Sequence, residues 1–218
     1  MRADGSLDLG DPTTGTLFYK TAQALFRVVA TLAFDLKVYG LERVPRTGGV
    51  LIVSNHQSYL DPPMLTLRLP RPAAFLAKSE LFQGGLFDRA IRNVNAFPVR
   101  QGAGDMGAMR ESIALLKHGW LLTVFAEGMR CYDGQIGPAQ KGAGLMVRKA
   151  GVPVVPTVID GAFDAWPREG AKLPKLKPIR VYHGHPVDLS HLKADDVRKW
   201  IDDTLPPMLD DLRAGRVP

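Results

Sequence analysis

A single cysteine, Cys131, stands in the 218 residues. That excludes an internal disulfide, and with it the small stapled domains of secreted proteins, and it fits a reducing compartment. Long apolar runs are lacking as well. The most apolar stretch near the N-terminus, LFYKTAQALFRVVATLAFDLKVYG, is broken by Lys20, Arg27, Asp35 and Lys37, and its longest uncharged run, Val28 to Phe34, has seven residues. A membrane-crossing helix needs about 20 largely apolar residues, so no span is expected. Residues 1–15 have neither a basic n-region nor an apolar h-region, so no secretory signal is expected. Internal repeats, low-complexity tracts and the GxSxG pattern of a serine nucleophile are absent. Nucleic-acid motifs and basic runs interleaved with aromatics are missing too, which argues against nucleic acid as the partner of the net +6 charge. An acidic membrane surface or a phosphorylated substrate remains.

What is present is enough for one α/β domain. Hydrophobic residues make up 45% of the chain, sufficient for a sizeable core. Apolar segments such as GGVLIVSN, WLLTVFAEG and VPVVPTVID read as buried strands, and they alternate with segments of helical periodicity such as DMGAMRESIALLKH and KGAGLMVRKAG. The pattern predicts a mostly parallel or mixed central sheet flanked by helices. The last segment, KADDVRKWIDDTLPPMLDDLRAG, predicts a terminal helix interrupted at Pro206-Pro207. Near the N-terminus, Phe18, Ala22, Leu25, Val29, Leu32 and Leu36 repeat at helical spacing, widened by Phe26, Ala30 and Ala33 and bordered by Lys20 and Arg27. Such a helix either packs on its own core or lies in a membrane interface. The expected division is a polar tail with this helix over residues 1–37 and the main domain over residues 38–218.

Four short motifs carry candidate chemistry. SNHQSYLDPP places His56 and Asp61 five residues apart after an apolar strand. An imidazole acts as a base at neutral pH when an acceptor holds its other ring nitrogen, and Asp61 supplies that acceptor. With no separate serine nucleophile, the histidine would act directly on a substrate hydroxyl. The competing reading makes Asp61 an N-cap before Pro62 and His56 an ordinary loop residue. FAEGMR puts Glu127, Gly128 and Arg130 at the carboxyl end of a strand, where open α/β sheets bind ligands, and arginine recognises phosphate bidentately. NAFPVR ends in a second cation, Arg100, and VPVVP reads as a strand edge stiffened by proline.

In this order the motifs resemble those of the glycerolipid acyltransferases, a family marked by NHxxxxD, a Phe-centred motif ending in Arg, FPEGTR and a VPVVP-like block. The resemblance covers roughly residues 38–185. It implies that His56 is the general base and Asp61 its orienting carboxylate. It implies that Arg100 and Arg130 bind the acceptor phosphate, with Lys78 of LAKSEL adding to that site. Glu127 and Gly128 match the third motif's acceptor loop; Glu127 would anchor the loop, pair with Arg130 or contact the glycerol hydroxyl. The implied reaction transfers a fatty acyl group from acyl-CoA or acyl-carrier protein to the free hydroxyl of lysophosphatidic acid. Thiolate is a good leaving group, so no metal and no cofactor beyond the acyl carrier is implied. The implied location is peripheral, on the cytoplasmic side of a membrane. Glycerol 3-phosphate or another lysophospholipid is the alternative acceptor, and a non-catalytic lipid-binding homologue the alternative class. The sequence departs from the family at Ala126, Met129 and Cys131, and a glycine usual before the Phe motif is replaced around Val94 and Asn95. His183 and His185 have no further ligands at zinc spacing and read as a strand end.

Overall fold

The structure is a computed structural model that describes residues 17–78, 80, 82–93, 95–99, 106–169 and 173–217. The chain begins with helix α1 (Leu17–Phe34), strand β1 (Lys37–Tyr39), strand β2 (Val50–Ser54), helix α2 (Asp61–Thr66) and strand β3 (Ala73–Lys78). Helix α3 (Gly85–Asn93), strand β4 (Ala96–Val99), helix α4 (Met106–Lys117) and strand β5 (Leu121–Phe125) follow. Helix α5 (Lys141–Ala150), strand β6 (Val154–Asp160), helix α6 (Ala162–Ala165), strand β7 (Arg180–His183) and helix α7 (Ala194–Arg213) complete it. The strands form one seven-stranded sheet in the order β1-β7-β6-β2-β5-β3-β4. All neighbours are parallel except β6 and β7.

The pleat sorts the strand residues. Leu51, Val53, Leu122, Val154 and Val158 pack with Leu115 and Leu116 of α4, Val147 of α5 and the inner stripe of α7. Their sequence neighbours Val50, Ile52, Leu121 and Val155 pack on the opposite face with Val44, Leu69 and Ala73. Beside them, Ile159 and Val181 meet Ala30 and Phe34 of α1 and Met64 and Leu65 of α2. Strands β2 and β6 are therefore covered on both faces, which explains their unbroken apolar character.

Three local expectations need correction. Helix α7 runs unbroken through Pro206 and Pro207. A proline inside a helix costs about 3 kcal/mol. The buried stripe Val197, Ile201, Leu205, Leu209 and Leu212 offsets that cost, at roughly 1.5–3 kcal/mol for each buried side chain. Strand β6, with Pro156, is an interior strand and not an edge. The Pro156 carbonyl accepts the Gly184 N–H at 2.8 Å just past the end of β7, so the missing proline donor falls where that ladder stops. Asp61 does not cap α2. It is the first helical residue, and its carboxylate turns back toward the preceding loop.

Helix α1 has two apolar faces. Tyr19, Ala30 and Phe34 face the core, whereas Leu17, Phe18, Leu25, Phe26, Val28, Val29 and Leu32 are exposed, Leu32 at 82%. At about 100° per residue the exposed set spans a face of roughly 180°. The predicted stripe is thus mostly the outer face; Leu36, beyond the helix, is buried.

Candidate active site

Parallel pairing of β2 with β5 sets Ser54 beside Phe125, so the loops leaving both strands emerge side by side. The Ala126 N–H donates to the Ser54 carbonyl at 2.9 Å, and the Cys131 N–H donates to the His56 carbonyl at 2.8 Å. The His56 ring stacks on Phe125, with centroids 3.8 Å apart and planes 13° from parallel. The loop is clamped on its other side by Asn55. Its amide donates to the Ile159 carbonyl at 2.9 Å and accepts the Ile159 N–H at 2.9 Å. Asn55 thus fastens the loop to β6, the strand hydrogen-bonded to β2.

His56 Nδ1 lies 2.7 Å from Asp61 Oδ2. The same oxygen accepts the Gln57 N–H at 2.5 Å and the Ser58 N–H at 2.7 Å. An oxygen already accepting two N–H groups does not also donate, so the proton of the third contact sits on Nδ1. Neutral His56 then carries an unprotonated Nε2. The His56 side chain is 17% exposed and the Asp61 side chain wholly buried. Burial pushes the Asp61 carboxyl up from its ordinary range, and the His56 ring and the Ser58 and Gln57 N–H groups pull it back.

Glu127 reads the same loop from the β5 side. Its Oε1 accepts the His56 backbone N–H at 3.1 Å, which is the loop-anchoring geometry. Gly128 follows at φ 70° and its N–H closes a turn on the Phe125 carbonyl at 3.1 Å; a β-carbon there would be strained by that φ. Burial raises the Glu127 carboxyl to about 7; the His56 and Gly137 N–H groups oppose the shift, and Asp61 and Asp133 add to it. Folding then favours its protonated form, so this group's contribution to stability falls as pH rises from about 4.5 to about 7. Buried His183, whose Nδ1 is 2.9 Å from Thr157 Oγ1, works in the opposite sense. Burial lowers its ring to about 4 from 6.5, so its contribution is lost as pH falls through that window. The two trends overlap and partly cancel in the native chain. Glu127→Gln is expected to remove the Glu127 trend, so the thermal midpoint of the variant should gain on the native chain as pH rises from 5 to 7. A constant difference across a calorimetric pH series would refute the buried-acid assignment.

The Arg130 guanidinium lies 3.5 Å above the Tyr59 ring, an arrangement that attracts a cation. Its buried Nη1 has no hydrogen-bond partner among the described residues. Tyr59 in turn leans on Trp166, with centroids 5.6 Å apart. Arg168 donates to the Arg130 carbonyl at 3.4 Å and stacks over Tyr132 at 4.4 Å. Cys131 is buried and burial pushes its thiol up, away from thiolate character. Arg100 and the side chain of Lys78 lie outside the described residues. At the family's missing glycine, Asn95 takes φ 63°. Asparagine is one of the few side-chain-bearing residues that adopts this region readily.

His56, Asp61, Glu127, Gly128 and Arg130 therefore gather at the carboxyl edge of β2 and β5. Asn55, Phe125 and Tyr59 are additional supports. No spacing signal identifies Phe125 or Tyr59, because their contacts depend on strand register and loop path. The family model described as Acyltransferase matches residues 35–160, more than half of the chain, and the chain belongs to that family. Similar proteins narrow the comparison. The 1-acyl-sn-glycerol-3-phosphate acyltransferase of Bacillus subtilis (strain 168) is 28% identical over 184 residues, covering 82% of this chain and 88% of that protein. The 1-acyl-sn-glycerol-3-phosphate acyltransferase alpha of Mus musculus is 29% identical over 177 residues, covering 80% of this chain and 62% of that protein. The crystal structure of the 1-acyl-sn-glycerophosphate (LPA) acyltransferase, PlsC, from Thermotoga maritima superposes with a TM-score of 0.76 at 28% identity. It covers 90% of this chain and 80% of that one.

Proposed function

We propose that the chain transfers a fatty acyl group from an acyl thioester, acyl-CoA or acyl-carrier protein, to the free hydroxyl of lysophosphatidic acid, giving phosphatidic acid. The observation that carries the reading is the 2.7 Å contact between His56 Nδ1 and Asp61 Oδ2, together with Arg130, whose buried Nη1 has no partner among the described residues. His56 Nε2 takes the proton of the acceptor hydroxyl as that oxygen attacks the thioester carbonyl. The tetrahedral intermediate collapses, the carbon–sulfur bond breaks, and the thiolate leaves with the proton returned from His56. Asp61 holds the ring and stabilises the imidazolium that forms between the two steps. Arg130 binds the acceptor phosphate and so fixes the hydroxyl beside the base, turning binding energy into orientation. Lys78 and Arg100 are proposed to complete the phosphate clamp.

An apolar groove suits the hydrocarbon. A cavity of about 290 Å³ lies between α1, contributing Tyr19, Ala22 and Phe26, and Pro62 and Pro63, which directly follow Asp61. An acyl chain laid there passes close to the His–Asp pair. The exposed apolar face of α1 then docks in a membrane interface, where both substrate and product reside. No helix among the described residues is long and apolar enough to cross a membrane.

Two results are expected. Arg130→Ala should raise KM for lysophosphatidic acid by about 10- to 100-fold, the worth of a charge-assisted phosphate contact. It should leave transfer to uncharged monoacylglycerol nearly unchanged. Equal losses on both acceptors in steady-state assays would remove Arg130 from phosphate recognition. Leu25→Ser, Val28→Ser and Leu32→Ser together should weaken binding to phosphatidylcholine vesicles by at least about 10-fold, since each exposed side chain would bury apolar area in the interface. Because none of the three is in the core, the folded far-UV spectrum should persist. Undiminished co-sedimentation with vesicles would exclude this face as the docking surface.

A further inference from the structure

A second cavity, of about 470 Å³, adjoins the apolar groove through Tyr19 and Gln23, which line both. Its wall carries Lys20, Arg27, Arg46, Arg68 and Arg71, and no carboxylate among the described residues. Among the described residues none of these five cations enters an ion pair with an acidic side chain. Their bonds run instead to neutral groups. Arg27 Nε donates to the Leu67 carbonyl, and Arg68 Nη2 donates to Thr31 Oγ1 at 3.1 Å. Arg71 is 4% exposed, and it donates to the carbonyls of Gly48 and Gly119. Its buried Nε has no hydrogen-bond partner among the described residues. A buried guanidinium with an unsatisfied donor and four further cations around it is costly unless an anion completes the site. Burial without a carboxylate also lowers the Arg71 guanidinium from its ordinary value, although an arginine stays charged.

The location separates this pocket from the catalytic one. Gly48 and Gly119 precede β2 and β5, whereas His56 and Glu127 follow them. The two sites therefore sit at opposite ends of the same parallel strands, separated by the length of β2, roughly 16 Å. Lys20 and Arg27 lie on the flank of α1 next to its exposed apolar face, the depth at which lipid phosphates sit when such a face enters a bilayer.

We infer that this basic pocket is a second phosphate site, which takes the phosphate of an anionic membrane lipid while the acyl tails of that lipid lie against the outer face of α1. The lipid source rests on the interfacial docking proposed above; the anion site itself does not. The pocket holds the chain on anionic membrane in the orientation that keeps α1 in the interface, and it leaves the acceptor site at the other sheet edge free.

The test uses the full chain and two vesicle compositions, phosphatidylcholine alone and phosphatidylcholine mixed with phosphatidic acid. Arg46 and Arg68 are exposed and take no part in the proposed chemistry, so Arg46→Gln with Arg68→Gln should fold normally and keep the native rate on detergent-dispersed substrate. Each basic residue at an anionic surface is worth a factor of about five in affinity. The double variant should therefore lose about 25-fold in affinity for the mixed vesicles and almost nothing for phosphatidylcholine. Arg148→Gln with Lys149→Gln, an exposed pair on α5, removes the same charge elsewhere and should change binding much less. The serine variants of α1 should lose binding to both compositions, so a failure of interfacial docking is seen separately. The inference is overturned if the pocket pair and the α5 pair lose equally, or if the pocket pair loses nothing. It is overturned equally if inorganic phosphate or coenzyme A thermally stabilises the native chain but not the pocket variant while both bind mixed vesicles alike. That outcome would assign the pocket to a soluble phosphate compound.

Discussion

Replacing His56 with alanine is expected to lower kcat for acyl transfer roughly 10³-fold, within the 10²–10⁴ range for loss of a general base. The imidazole is 17% exposed and packs by stacking on Phe125, so its removal should cost little stability. What remains active should be acceptor and donor held together without proton removal, a weak catalyst because an alcohol attacks a thioester poorly. KM for the acceptor should change little, since the phosphate clamp is intact. Rapid-quench measurement of a single turnover separates the step from product release. A loss below about 10-fold, with the fold unchanged by circular dichroism, would show that the base lies elsewhere.

Asp61→Asn should be nearly as damaging, for a different reason. The carboxylate oxygen that meets His56 Nδ1 also accepts the N–H groups of Gln57 and Ser58. An amide supplies one oxygen and one NH2 group. If the oxygen keeps the two backbone donors it also keeps the ring, and the NH2 group takes the place of Oδ1, which is buried without a partner among the described residues. The negative charge that stabilises the His56 imidazolium is then gone, and the ring is a weaker base for the hydroxyl proton. A comparable exchange in a histidine-carboxylate pair costs about 10⁴ in kcat, and a fall of 10²–10⁴ is the expected range here. Imidazole nitrogen-15 shifts report the tautomer directly, and a variant that keeps Nδ1 protonated together with native kcat would defeat the stabilising role of the carboxylate charge. Asp61→Ala is the less informative change, because it also leaves two loop N–H groups without an acceptor.

How much of this was open to reading from the chain alone depends on sequence distance. His56 and Asp61 share one loop, so their five-residue spacing carried their meeting, and Glu127, Gly128 and Arg130 follow one strand end. The same spacing concealed which role Asp61 plays: Asp-Pro is a natural helix start, and only the path of the backbone shows the carboxylate folded back to its own loop. Contacts across the sheet were hidden. The clamp of Asn55 on Ile159 spans two strands whose adjacency is a matter of topology, and Phe125 comes under His56 only through the β2–β5 register. The basic pocket was the least accessible, because it joins residues of α1 to two loops at the far end of the sheet, and nothing in the sequence around any of these arginines or the lysine distinguishes it from an ordinary surface cation. Helix α1 showed its apolar periodicity but not its division into an inner and an outer face, since a repeat gives spacing and not the side on which the core lies. Pro206 and Pro207 misled because the local rule for proline was outweighed by a buried stripe that runs along about four turns of helix.

The central claim is acyl transfer to a lysophosphatidic acid hydroxyl. It is tested most directly by incubating the purified chain with labelled acyl-CoA, and separately with labelled acyl-carrier protein, in the presence of lysophosphatidic acid, glycerol 3-phosphate, lysophosphatidylcholine or monoacylglycerol, and identifying the acylated product. The prediction is labelled phosphatidic acid from lysophosphatidic acid with at least one donor, formed faster than the product of any other acceptor. No labelled phosphatidic acid with either donor, or faster acylation of another acceptor, would contradict it.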